Sequence, residues 1–249
     1  MGQLVLITGA SSGIGAALSR LFLERGDTVI ACARSRDKLD VTAARLNNER
    51  FVPMSLDVTD ISAVEKTVAA IEDRHGAIDL AVLNAGTYSP TPADSFGASA
   101  VHTMMDVNVI GISNMLAALM PGMIERGRGQ LALMSSVAAY RGLPMAAGYS
   151  ASKAAVIAMG ESLKAELDGH GVKLQVICPG FVKTPLTEQN SFPMPYLMEV
   201  EDAARRIMKG LESSRFQIAF PRRFVFQLKL LQMMPDALYF PLIKKATGL

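Results

Sequence analysis

The sequence predicts a doubly wound α/β domain: a mostly parallel, seven-stranded sheet with helices on both faces, followed by a helical C-terminal extension. Three observations predict it. Seven short runs rich in Val, Ile and Leu are continuously apolar rather than alternating, as strands covered on both faces are. Between them lie segments of helical length in which apolar residues return every three or four positions. A glycine-rich turn joins the first strand to the first helix, where such sheets hold ligands at the carboxyl ends of their strands. The 249 residues, half of them hydrophobic, suffice for one domain of this size.

The strands are read at 4–8, 28–33, 51–56, 80–84, 130–135, 173–178 and 216–220, and the helices at 14–25, 37–47, 61–74, 100–126, 149–169 and 200–212. Strand–helix–strand repeats of this kind require right-handed crossovers and a sheet covered on both sides. The repeating part fills 1–221, and 222–249 reads as an amphipathic extension packed on it or on a partner. One segment breaks the rhythm before that: 184–198 is apolar and interrupted by prolines, the character of a lid or binding loop.

Composition removes several classes of function. A net charge of +2 with no dense basic run argues against nucleic acid as a partner. The two cysteines, Cys32 and Cys178, lie in separate apolar runs and read as buried thiols of a reducing compartment. His75, His102 and His170 are scattered, so no metal site is expected. Met1-Gly2-Gln3 leads straight into an apolar run of four, with no basic n-region and no small-residue cleavage site. No continuous apolar run approaches bilayer length, and the chain reads as cytoplasmic.

After the first strand comes Thr8-Gly9-Ala10-Ser11-Ser12-Gly13-Ile14-Gly15. Its glycines let the backbone turn sharply beside a pyrophosphate, and the helix that follows offers unpaired N–H groups and a positive dipole end. The spacing differs from G-x-G-x-x-G, and no Gly-Lys-Ser/Thr is present, which disfavours nucleotide triphosphate hydrolysis. Where an NAD site places an acid against the ribose 2′-hydroxyl, the second strand ends in Ala33-Arg34-Ser35-Arg36. Guanidinium forks suit a 2′-phosphate, so NADP(H) is favoured over NAD(H). Further on, Tyr149 and Lys153 stand four apart at the start of a helix and share one face. A nearby ammonium favours phenolate and brings a tyrosine toward acid–base work.

These motifs occur in order with others: Asp57 after the third strand, Asn84-Ala85-Gly86 after the fourth, then Asn108, Ser136 and Pro179-Gly180-x-x-x-Thr184. Together the sequence resembles the short-chain dehydrogenase/reductase family from about residue 3 to about residue 220, and the resemblance implies a single Rossmann-like domain. It implies that Tyr149 is the acid/base and that Ser136 holds the substrate oxygen. Lys153 would bind the nicotinamide ribose and lower the Tyr149 pKa, while Asn108 holds a water linking Lys153 to solvent. Gly9, Ser11, Ser12, Gly13, Ile14 and Gly15 would cradle the phosphates, with Arg34 at the 2′ position. Asp57 and Val58 would meet the adenine, and Asn84, Ala85 and Gly86 would pass under the cofactor. Pro179, Gly180, Val182 and Thr184 would meet the nicotinamide side. Leu83 stands where the family often has a second asparagine.

The residues around this site are nearly all apolar: Ala138, Tyr140, Leu143, Met145, Thr87, Tyr88, Phe192, Met194, Tyr196, Leu197 and Met198. No arginine pair awaits a carboxylate or phosphate, so the expected substrate is a hydrophobic ketone or secondary alcohol, a keto-lipid or a ring ketone. In the extension, Phe224, Leu228, Leu231 and Met234 share one helical stripe, with Phe226, Leu230 and Met233 beside it. It holds five of the chain's 25 Lys and Arg but one of its 23 acids, which leaves peripheral membrane contact open beside a covering role over the active-site mouth. A homodimer through the helices at 100–126 and 149–169 is expected. An NADP-binding sensor without turnover, or a membrane-docking scaffold, is the alternative function.

Overall fold

A computed structural model describes residues 2–189 and 194–247. Seven strands, β1 (Leu4–Thr8), β2 (Thr28–Ala33), β3 (Phe51–Ser55), β4 (Leu80–Leu83), β5 (Gly129–Met134), β6 (Val172–Pro179) and β7 (Gln217–Phe220), form one sheet. All neighbouring pairs are parallel, in the order β3-β2-β1-β4-β5-β6-β7. The chain runs outward from β1 to β3, then returns to β4 on the other side of β1. That reversal opens a crevice at the carboxyl ends of β1 and β4.

The continuous apolar runs have the cause the sequence suggests: the inner strands are buried on both faces, while the edge strands β3 and β7 are buried in part. Along β1, Leu4 and Leu6 enter the cluster on one side, with Ile30, Leu83, Leu133 and Val176. Val5 and Ile7 enter the other, with Val29, Val82, Ala132 and Ile177. The helices α1 (Gly13–Arg25), α2 (Arg36–Leu46), α3 (Ile61–His75), α6 (Ala147–Gly169) and α7 (Val200–Leu211) cover these faces. Their ends follow local chemistry. Ser35 and Asp60 accept from the N–H groups of Lys38 and Ala63, opening α2 and α3. Gly26, at φ 100°, closes α1.

The single helix expected at 100–126 is more divided: α4 (Ala98–Met105), one π turn (Asp106–Ile110) and α5 (Gly111–Glu125). The three run on as a 28-residue helix that is long and apolar enough, by length and composition, to cross a bilayer. The sequence shows no continuous apolar run of that length. In the fold, 56% of its most apolar window is buried, and it lies against α3 and α6 as a core helix.

The C-terminal extension forms two helices, α8 (Arg222–Met233) and α9 (Asp236–Thr247), both packed on their own domain. Phe224 and Leu228 join the core cluster. Arg141 fastens the turn between the helices, donating to the carbonyls of Leu231 at 2.9 Å and Met234 at 2.7 Å and pairing with Asp236. The same guanidinium lies 3.7 Å from the ring centre of Tyr239, whose hydroxyl donates to the Gly142 carbonyl.

Candidate active site

A cleft of about 350 Å³ opens over the carboxyl ends of the strands, where the topology puts it. Its floor is the turn after β1. Gly9 and Gly13 hold φ of +68° and +52°, a region side chains rarely adopt. Ser12 precedes α1 without capping it, and no acid stands in the first turn, so the opening N–H groups of α1 face the cleft unclaimed. Asn84 braces this turn, its amide donating to the carbonyls of Thr8 at 2.9 Å and Gly9 at 3.2 Å. The backbone N–H of Ala85 adds a bond to the Thr8 hydroxyl.

At the end of β2, Arg34, Ser35 and Lys38 line one rim and no carboxylate does. Arg36 is diverted: it pairs with Asp40 one helical turn on, at 2.8 Å, and does not line the cleft. Asp57 accepts from the N–H and hydroxyl of Thr59; these bonds, with the Arg34 guanidinium behind them, hold its carboxyl below the usual range.

The opposite end gathers Ser136, Tyr149 and Lys153. Lys153 projects from α6 and donates to the Met134 carbonyl at 2.9 Å, with its ammonium 5.7 Å from the Tyr149 ring centre. Ser135 fixes that stretch of α6 to β5 by donating to the Lys153 carbonyl at 2.7 Å. Ser136 hydrogen-bonds the Tyr149 phenol, and Tyr88 meets the same ring edge-on at 5.2 Å. Burial pushes the Tyr149 phenol up to about 12, against a smaller lowering by Ser136. Burial also brings the Lys153 ammonium down to about 8. The expected lowering of Tyr149 by Lys153 is therefore corrected for this arrangement: desolvation governs both groups.

Two expected residues stand behind the cleft rather than in it. A Cβ added to Gly15 would sit 2.3 Å from the Gly9 carbonyl oxygen, so this glycine serves the close packing of helix on turn. Asn108 is fully buried in the π turn. Its side chain accepts from the Thr87 N–H at 2.8 Å and donates to the Thr87 carbonyl and the Ser152 hydroxyl. The remaining predicted site residues line the cleft, Gly86 closely: a Cβ there would lie 3.5 Å from the Lys153 nitrogen.

Among the substrate-side candidates, Tyr140 turns away. It is buried in the core, donates to Gln217 at 3.3 Å and neighbours Cys178. Met198 pairs with Val182 by a parallel bridge and closes the base of the loop. Thr87 lines the cleft, Tyr196 and Leu197 are exposed, and Phe192 lies outside the described residues. Sequence reasoning missed Ser35, Lys38 and Thr187 at the cleft; Lys38 lies one turn into α2, a spacing from Arg34 that could have shown it. Among the described residues no group of His, Cys, Asp and Glu is placed to hold a metal.

This architecture is shared widely. The model of the short chain dehydrogenase family matches residues 3–193. An uncharacterized oxidoreductase of Myxococcus xanthus is 38% identical over 236 residues, covering 94% of this chain and 93% of that one. The 3-oxoacyl-[acyl-carrier-protein] reductase FabG of Thermotoga maritima is 35% identical over 190 residues, 76% of this chain and 77% of its own. A short chain dehydrogenase from Burkholderia cenocepacia, solved in complex with NADP, superposes with a TM-score of 0.84 over 97% of both chains at 29% identity. The chain belongs to the short-chain dehydrogenase/reductase family. It is an oxidoreductase of that class, acting on CH–OH and C=O groups through a nicotinamide cofactor.

Proposed function

We propose that the protein is an NADP(H)-dependent oxidoreductase that interconverts a hydrophobic ketone and its secondary alcohol. The observation that carries this reading is the convergence of Ser136, Tyr149 and Lys153 at one end of a cleft whose other end holds Arg34 and Lys38, with Asp57 beside Arg34 and no acid at the end of β2. The turn fits a dinucleotide: Gly9 and Gly13 give it a sharp path at positive φ, and no side chain caps the start of α1. The first turn of α1, with Ser11, Ser12 and Ile14, would hold the pyrophosphate. Asp57 and Val58 would take the adenine, and Pro179, Gly180, Val182 and Thr184 the nicotinamide end.

The bound dinucleotide supplies or accepts the hydride. Ser136 holds the substrate oxygen by donating its hydroxyl, and Tyr149 donates its phenolic proton to the same oxygen as charge develops there. A phenol near 12 is neutral at physiological pH, the state a proton donor in the reducing direction needs. Lys153 lies where it would bind the ribose, and Asn108 acts by holding Thr87 and Ser152 in place around it. Among the described residues Lys153 is the one charged side chain lining that end of the cleft, which with Tyr88 against Tyr149 supports an apolar, lipid-like carbonyl. The Burkholderia relative's NADP complex and the Thermotoga reductase's name agree with this cofactor and reaction direction. Exposed Ala117 of α5 and Ala151 and Ala158 of α6 support a homodimer through those flat faces.

The cofactor half is tested by binding of NADPH and NADH to wild type and to Arg34→Ala/Lys38→Ala. Loss of charge-assisted bonds should weaken NADPH by about tenfold or more and leave NADH within about twofold. Equal weakening of both would remove the 2′-phosphate assignment. Binding without turnover of any apolar ketone would favour the sensor.

A further inference from the structure

The extension has two faces of different character. The inner one is used up on the domain: Phe224 and Leu228 are buried, and Phe224 stacks at 5.7 Å on both Phe181 and Tyr196. The outer one stays bare. Phe226, Leu230 and Met233 of α8 and Leu238, Phe240 and Leu242 of α9 are exposed, Phe226 at 70% and Met233 at 76%. These six are nearly half of the 13 large hydrophobic residues exposed among the described residues, in a segment that is about a tenth of the chain. Phe226 and Met233 are seven apart, so they stand on one line of α8, opposite Phe224 and Leu228. A concentration of exposed apolar groups of this kind marks an interaction surface.

Charge says what kind. Arg222 and Arg223 flank that line at the start of α8, and Lys244 and Lys245 stand exposed on α9. Lys229 reaches back over the Tyr140 ring at 5.5 Å. The one acid of the extension, Asp236, is paired with Arg141 of the domain. Four exposed cations, two on each helix, therefore share the extension with its exposed apolar residues, and no acid of the extension is left to answer them.

We propose that this outer face docks on the surface of an anionic phospholipid bilayer, with α8 and α9 lying in the headgroup plane. The apolar line would enter the acyl boundary while the arginines and lysines meet lipid phosphates. Each helix has 12 residues, about 18 Å, too short to cross a hydrocarbon core of about 30 Å. A second copy of the chain fits less well. A two-fold contact would bring the same cationic patch of both copies together with no acid of the extension on either side to pair it, and like charges brought together are costly. Helix α8 adjoins the cleft through its inner face: a Cβ on Gly180, which lines the cleft, would lie 3.0 Å from Phe224, and exposed Tyr196 packs on the same ring.

The test floats the full-length protein with vesicles of phosphatidylcholine alone and of phosphatidylcholine mixed with phosphatidylglycerol, at low and at high salt. Binding to the mixed vesicles alone, released by salt, is expected. Phe226→Ser/Leu230→Ser/Met233→Ser should lower the vesicle partition by about tenfold or more. Lys244→Gln/Lys245→Gln should lower it on the order of tenfold, and this surface change keeps the test decisive if the triple variant melts early. No preference for the mixed vesicles overturns the proposal, as does wild-type partition of both variants when their melting is unchanged. A wild type that never floats but loses its dimer in the triple variant also overturns it and assigns the face to a second copy.

Discussion

At the carboxyl end of β1, Gly9 and Gly13 sit at φ of +68° and +52°, and an added Cβ on Gly15 would strike a carbonyl oxygen at 2.3 Å. In α8, by contrast, Phe226 and Met233 stand in the open, and the helix is held by Phe224, Leu228 and a single arginine from elsewhere in the chain. The cleft is specified by backbone at close quarters: a Cβ on Gly9 would lie 3.0 Å from Ala85, and one on Gly13 would lie 3.2 Å from Thr184. The extension is specified by long-range contacts that many sequences could make. A region of the first kind announces itself by motif, and one of the second kind shows only that it is amphipathic.

Gly15→Ala gives the sharpest break in that comparison. The methyl meets backbone that cannot yield, so we expect about 3 kcal/mol of destabilisation in denaturant titration, with loss of dinucleotide binding. A variant of wild-type stability would remove the claim that the turn is sterically fixed.

Lys153 gives an effect of similar size that depends on pH. Burial lowers its folded pKa to about 8 from an ordinary 10.5, so the unfolded chain holds a proton that the folded chain releases between those values. Stability from this group is diminished below about 8 and rises with pH toward 10.5, on the order of 3 kcal/mol in all. Tyr149 pulls the other way above 10, and the buried thiols Cys32 and Cys178, raised to about 12 and about 11, do so above 9, so the window to measure is 8 to 9. Unfolding of wild type and Lys153→Met across that window should show the rise only in wild type; parallel curves would show that the ammonium is not desolvated.

Arg141→Ala tests the other region. Removing the guanidinium takes one donor from each of the Leu231 and Met234 carbonyls and the cation from the Tyr239 ring. We expect a loss of about 2 kcal/mol and early proteolysis within 222–247, with NADPH affinity unchanged. Loss of NADPH binding together with the tail would make the two regions one unit. The smallest effect belongs to Phe226→Ser, expected to leave stability within about 0.5 kcal/mol because the ring touches solvent.

The same contrast explains what the sequence disclosed. All seven strands fall within a few residues of their predicted ranges, because burial, on both faces for the inner strands, leaves little room for polar interruptions. The exception inside β6, Gln175, is satisfied by carbonyls of Gly210, Ser213 and Arg215, a contact no local pattern encodes. Tyr140 was read toward the substrate because it lies between Ser136 and Tyr149. Its ring instead enters the core and its hydroxyl finds Gln217, 77 residues away. The motif implies that Asn108 holds a water linking Lys153 to solvent; the π turn carries its amide inward, where it meets Thr87 and Ser152. Arg36 was offered beside Arg34, but an acid one helical turn away claims it.

The account rests most heavily on Tyr149 as the proton donor, and one experiment reaches it directly. NADPH oxidation by wild type and by Tyr149→Phe, followed at the nicotinamide absorbance with an apolar ketone, should show kcat falling by about 10³. The NADPH dissociation constant should stay within about twofold, since the lost hydroxyl meets substrate and Ser136 rather than the dinucleotide. Turnover by the phenylalanine variant at the wild-type rate, with binding intact, would contradict the assignment and place the proton elsewhere.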